Sequence, residues 1–200
     1  MKSCMILSAF SSVSLEDVAR ASGEGLCWFH LAITMPDDLI KEHVQRAEKA
    51  GYKALVITVD RPNVGLHRNN ESIMNKYSLI KFANFSLPKT TAFIKQQHAV
   101  YFSQPITWDR IEWVCSLSTL PIVLKGILTA EDALLALEHK IDGIIVSNHG
   151  GRQLDCVPAT VSAHCIILCK IQNEVSSQNK RVQLVLCSAH PRSFMSIIGL

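Results

Sequence analysis

The sequence predicts an α/β chain on a parallel sheet, an incomplete arc of a (β/α)8 or TIM barrel, and three observations carry that prediction. Short β-rich runs alternate with longer helical patterns, which is how βα repeats around a parallel sheet read. Several of the runs end on a polar group. Six candidate strands have βα spacing, where a closed barrel has eight.

The first strand is residues 5–8, an apolar run that stops at Ser8. Polar Ser11 and Ser12 follow too soon for the run to be a signal peptide. Residues 26–33 form the second strand. A helix follows over residues 37–50, because Leu39, Ile40, Val44 and Ala47 recur near helical spacing and Gly51 stands at its end. Residues 54–60 are the third strand. Residues 66–105 break the rhythm with a long polar stretch, expected to be an excursion over the barrel mouth. The fourth strand is residues 121–125. Thr129 then caps a helix with Asp132 as its capping-box partner, and Ala133, Leu134 and Leu137 form its buried stripe. Residues 143–148 and 182–186 complete the set.

With 200 residues, 48% of them hydrophobic and 18% charged, the chain is expected to fold as one domain with a real core. A net charge of +3 without a large Lys/Arg cluster gives no reason to expect nucleic acid. The apolar stretches are strand-length, short of the roughly 20 residues a spanning helix needs, so no membrane is expected. The seven cysteines form no CxxC pair and read as reduced thiols, mostly in apolar surroundings. His164, Cys165, Cys169, Cys187 and His190 can be drawn as a zinc site, but Cys165 and Cys169 flank Ile166-Ile167-Leu168 and are expected to face the core. No metal is predicted.

The chemistry gathers at strand ends. Ser147 to Asp155, read SNHGGRQLD, follows the apolar run Gly143-Ile144-Ile145-Val146 and places a base, His149, near a fixed cation, Arg152. The arginine can hold a carboxylate through two parallel hydrogen bonds. Ser8, Thr58, Asp60 and Lys125 end other strands, and parallel strands of a barrel all deliver their C-terminal ends to one rim. Asp60 could hold the imidazole of His149 in one tautomer or simply initiate the turn before Arg61-Pro62. Lys125 could bind an anionic group, form a Schiff base, or be a solvated lysine.

The SNHGGRQLD stretch, with PIVLKGILTAEDA before it and ALVITVD further upstream, closely resembles the FMN-dependent α-hydroxy-acid oxidases, the glycolate oxidase and hydroxyacid oxidase group. The resemblance runs from Met5 to about Ala159, so the chain reads as a partial FMN hydroxy acid dehydrogenase domain over residues 1–200 with a divergent tail from 160. It implies FMN as cofactor and oxidation of an (S)-2-hydroxy acid to a 2-oxo acid, with oxygen reduced to hydrogen peroxide. His149 would take the substrate's proton while a hydride or its equivalent passes to flavin N5, and Asp60 would hold the histidine. Arg152 would bind the substrate carboxylate. Lys125 would sit beside flavin N1 and the C2 carbonyl, and Ser8, Thr58 and Ser147 would hydrogen-bond the isoalloxazine or its side chain. The resemblance further implies a peroxisomal homo-oligomer, but the sequence ends Ile197-Ile198-Gly199-Leu200 without the usual targeting tripeptide, so a cytoplasmic location is the alternative expectation.

Departures from the family pattern stand beside the match. His30 occupies a cofactor-binding position where the family usually has glutamine, and Ala32 stands where it has a substrate-touching tyrosine. His67, next to Arg68, takes the place of a second carboxylate-binding arginine. Residues 187–191, Cys-Ser-Ala-His-Pro, stand where a glycine turn helps to clamp the FMN phosphate. Two outcomes are therefore expected: an active flavoenzyme domain, or a truncated, impaired fragment that acts through association with full-length subunits.

Overall fold

The computed structural model describes residues 4–61, 82–85, 104–178, 183–186 and 196–199. The chain divides into two compact units, one of residues 1–55 and 62–120, the other of residues 56–61 and 121–200.

In the first unit, strands β1 (Cys4–Ser8) and β2 (Leu26–Leu31) pair in parallel, with Ser8 opposite His30 at their C-terminal ends. Helix α1 (Leu15–Ser22) connects them. It starts where the Ser14 side chain accepts the amide of Asp17, a normal N-cap that satisfies one orphan donor. Helix α2 (Asp37–Ala50) has the bounds its periodicity predicts, and Gly51 ends it in the left-handed conformation that glycine adopts without a Cβ penalty. Its buried face is Ile40, His43, Val44 and Ala47. Leu39 is only half-buried, and His43 takes the place expected for an apolar residue. Helix α3 (Trp108–Leu117) starts at a Thr107 cap. Phe29, Leu31, Ile33, Met35 and Leu15 are fully buried, each stabilising the core by about 1.5–3 kcal/mol. The 82–85 segment is fixed here by Asn84, which accepts the amide of Leu15, donates to the carbonyl of Ala9, and offers its own carbonyl to His43 and Arg46.

In the second unit, β3 (Leu55–Thr58, entered from the first unit at Leu55) runs on to Val59, whose amide donates to the carbonyl of Lys125 at 2.8 Å. Strands β4 (Ile122–Ile127), β5 (Gly143–Val146) and β6 (Gln183–Leu186) pair in parallel, and β7 (Ser196–Gly199) adds to β6 antiparallel. The sequence pattern predicts no strand at β7, and its direction departs from the all-parallel arrangement. Strand β4 runs two residues past the expected end at Lys125 because a register shift absorbs Gly126. Helix α4 (Ala130–Glu138) is capped by Thr129, which accepts the Asp132 amide and also donates to its carboxylate. Its buried stripe is Ala130, Ala133, Ala136 and Leu137, so Leu134 falls at the edge.

Helix α5 (Thr160–Gln178) buries Ala163, His164, Ile167 and Ile171. Cys165 and Cys169 are exposed, a correction to the expected core placement. The reason is helical phase: positions 163, 167 and 171 make one stripe, and 165 and 169 project from another side. Of the described cysteines only Cys27 is buried. No helix among the described residues is long and apolar enough to cross a membrane. Residues 66–81, 86–103 and 187–191, which include His67, Arg68, Cys187 and His190, lie outside the described residues.

Candidate active site

Strand β5 is buried at every position, and the buried Ser147 follows it directly. The chain then leaves the sheet through a single 3-10 turn, His149–Gly151. Three side-chain to backbone bonds shape this exit. Ser147 Oγ accepts the amide of His149 at 3.1 Å, Asn148 Oδ1 accepts the amide of Gly150 at 3.2 Å, and the Asn148 amide donates to Thr160 Oγ1 at 3.2 Å. His149 has φ 57°, and Gly150 and Gly151 have φ 68° and 70°. Three successive left-handed residues explain the double glycine. A histidine in that conformation costs about 1–3 kcal/mol and persists only where its surroundings fix it.

Those surroundings include Asp60. His149 Nδ1 lies 2.8 Å from Asp60 Oδ1, with the two side chains 21% and 8% exposed. An ionised carboxylate only accepts, so Nδ1 carries a proton, and in the neutral imidazole Nε2 is then the nitrogen with the lone pair. Lys125 Nζ stands 3.5 Å from the same Nδ1. With the Nδ1 proton already given to Asp60, that approach is a charge–dipole contact and the ammonium retains its donors for another acceptor. Asp60 itself packs on β4, where a Cβ built at Gly126 would lie 2.5 Å from its Cβ and Cγ.

The structure thus brings together Asp60, Lys125 and His149, with Ser147 fixing the backbone of the histidine. Thr58 is half-buried on the strand leading to Asp60. Arg152 closes the 3-10 turn and is exposed, with no carboxylate paired to it among the described residues. In the other unit Ser8 and His30 are register partners, and Ser8 Oγ accepts the amide of Phe10 at 3.1 Å, which leaves its hydroxyl proton to donate.

Two residues went unassigned in the sequence. Arg61 is half-buried, and burial, with the nearby Arg152 guanidinium next, lowers its pKa while Asp60 opposes the shift. Gly126 makes the close contact with Asp60. A glycine inside a strand pattern, directly after a charged residue, is a bulge signal that was there to be read.

A family model described as FMN-dependent dehydrogenase matches residues 1–186. The chain belongs to the FMN-dependent dehydrogenase family. It is 42% identical over 175 residues to 2-hydroxyacid oxidase 2 of Bos taurus, covering 86% of this chain and 49% of that protein. With glycolate oxidase 2 of Oryza sativa subsp. indica it shares 37% identity over 198 residues, 94% of this chain and 51% of the relative. The chain therefore spans about half the length of the curated relatives it matches. Among solved structures, a mandelate oxidase variant with (S)-mandelic acid matches 94% of this chain and 49% of its own, at a TM-score of 0.73 and 32% identity. The fold class is that of these enzymes, an α/β (β/α)8 barrel, here as an incomplete set of strands. FMN is the family's cofactor.

Proposed function

We propose that this chain is the FMN-binding, acid–base part of an (S)-2-hydroxy-acid oxidase that forms 2-oxo acids. The observation that carries the reading is the 2.8 Å pairing of His149 Nδ1 with Asp60, which in the neutral imidazole makes Nε2 the accepting nitrogen. In this reading Nε2 takes the substrate's proton, and Asp60 steadies the imidazolium that results. General-base help of this kind is worth about 10²–10⁴ in rate. Arg152 holds the substrate carboxylate through its planar fork.

The donor set fits a flavin. Lys125 has uncommitted N–H donors, and Ser147, whose Oγ accepts from a backbone amide, still has a hydroxyl proton to give. An ammonium and hydroxyl donors match an electron-rich, carbonyl-bearing ring. Lys125, Ser147, Thr58, Ser8 and His30 are the residues proposed to hold it. When bound, FMN accepts the two electrons leaving the substrate and returns them to oxygen as hydrogen peroxide. The same reading extends to a peroxisomal homo-oligomer, which size-exclusion chromatography and imaging of the tagged protein address.

The test is to purify the chain, supply FMN and measure flavin retention, then add short (S)-2-hydroxy acids under air and follow 2-oxo acid and peroxide. Retained flavin with turnover is the expected result, and His149→Ala should abolish turnover while flavin stays bound. A chain that takes up no FMN overturns the proposal. That outcome favours the second reading, an impaired chain acting beside full-length subunits.

A further inference from the structure

Gly126 interrupts the ladder between β4 and β5. Lys125 pairs with Ile145 and Ile127 with Val146, so Gly126 is the extra residue of a bulge. Its φ is 110°, a conformation open to glycine and strained for any other residue. The carbonyl of Lys125, just before the bulge, accepts the amide of Val59, just before Asp60. This bond ties the segment that ends in Asp60 to the strand that bulges at Gly126. A side chain at 126 would meet Asp60 Cβ and Cγ at 2.5 Å and Oδ2 at 2.8 Å. Asp60 therefore occupies the space that a Cβ at this position would take, and from there its Oδ1 reaches His149 Nδ1.

We propose that Gly126 is a positioning residue: the β4 bulge opens the recess from which Asp60 orients His149, and it sets Lys125 and Asp60 on the same imidazole nitrogen. The inference deepens the proposed reaction and rests on it for its kinetic test alone. Any side chain at 126 drives the carboxylate out of the recess, and Nδ1 loses the acceptor that fixes its proton.

The experiment is a double-mutant cycle. Gly126→Ala is made in the natural chain and in the Asp60→Gly background, and urea midpoints are compared. The φ strain is common to both backgrounds, so the difference reports the contact with Asp60. The expected result is a large midpoint loss in the natural chain and a much smaller one in the Asp60→Gly background. Should Gly126→Ala fold only in the Asp60→Gly background, the proposal is equally supported. Equal losses in the two backgrounds, or failure to fold in both, overturn it, because backbone strain alone would then be the cause. Imidazole nitrogen NMR on folded Gly126→Ala gives a second readout, in which the His149 proton should no longer be confined to Nδ1. An unchanged tautomer overturns the positioning role. If the chain turns over substrate, Gly126→Ala should lower kcat about 100-fold with KM little changed. A chain without turnover removes only that last arm, leaving the cycle and the tautomer to decide.

Discussion

Asp60→Asn isolates the charge of the carboxylate while keeping its size, and its effect can be worked from the geometry. The bond to His149 Nδ1 is 2.8 Å, and the aspartate side chain is only 8% exposed, so solvent screening is weak. A charge-assisted hydrogen bond of this kind is worth about 1.5–3 kcal/mol. At 1.36 kcal/mol per tenfold, losing that support for the developing imidazolium slows turnover about 10- to 150-fold. A larger loss follows if the new amide turns its NH2 toward the ring. Nδ1 must then accept, the proton moves to Nε2, and the base is blocked; in the serine protease triad the same exchange costs about 10⁴. The assay is kcat and KM for a short (S)-2-hydroxy acid, with nitrogen NMR of His149 to show which case holds. KM should stay nearly constant, since Asp60 does not reach for the substrate carboxylate. A kcat equal to that of the natural chain would refute the assignment of Asp60 as the partner that matters.

The remaining predictions need less. Arg152→Lys should chiefly raise KM, because a point charge replaces a planar two-bond fork, and steady-state kinetics on the same substrate measure this. Thr129→Ala should cost about 1 kcal/mol of stability in urea titration, since Thr129 caps α4 and meets no group of the site. Burial holds the His43 pKa below the ordinary histidine value of 6.5; the hydrogen bond to the Asn84 carbonyl is the main opposing effect, and the Arg46 charge adds to the depression while Glu42 opposes it. The unfolded chain then binds more protons than the folded one below about pH 6.5, so stability is full above that value and falls as pH drops toward the folded pKa. Urea midpoints across that window should show the fall, and His43→Phe should flatten it.

What the sequence disclosed depended on how local the cause was. Helix α2 was legible to the residue because its periodicity and the left-handed Gly51 cap lie within the segment itself. The pairing of Asp60 with His149 was legible because both end strands of a parallel pattern, which fixes the rim they share. Strand β7 was not legible: Ser196–Gly199 is four residues long and pairs antiparallel with β6, a choice made by tertiary contact and not by pattern. Cysteines 165 and 169 misled because their apolar neighbours were counted without the helical phase that puts them outside. Gly126 was seen as a residue and missed as a cause, since its role exists only once Asp60 is beside it in space.

Irregular backbone occurs where β5 presents the proposed base and on β4, the strand against which its partner Asp60 packs. His149 is held at φ 57° where β5 ends, and β4 bulges at Gly126 with φ 110°. Neither is needed to build a parallel ladder, and both depart from the geometry that would stabilise it best. Each acts on one side of a single contact: the left-handed turn brings the imidazole to the carboxylate, and the bulge makes room for the carboxylate to meet it. Strain of about 1–3 kcal/mol at a residue such as His149 survives only under outside constraint, and the constraint here is supplied by Ser147, Asn148 and Asp60. All of these residues belong to the unit formed by residues 56–61 and 121–200. The contacts that orient the base are all made by protein groups, so loss of the flavin should leave the His149 tautomer unchanged, whereas Gly126→Ala should shift it even with flavin bound.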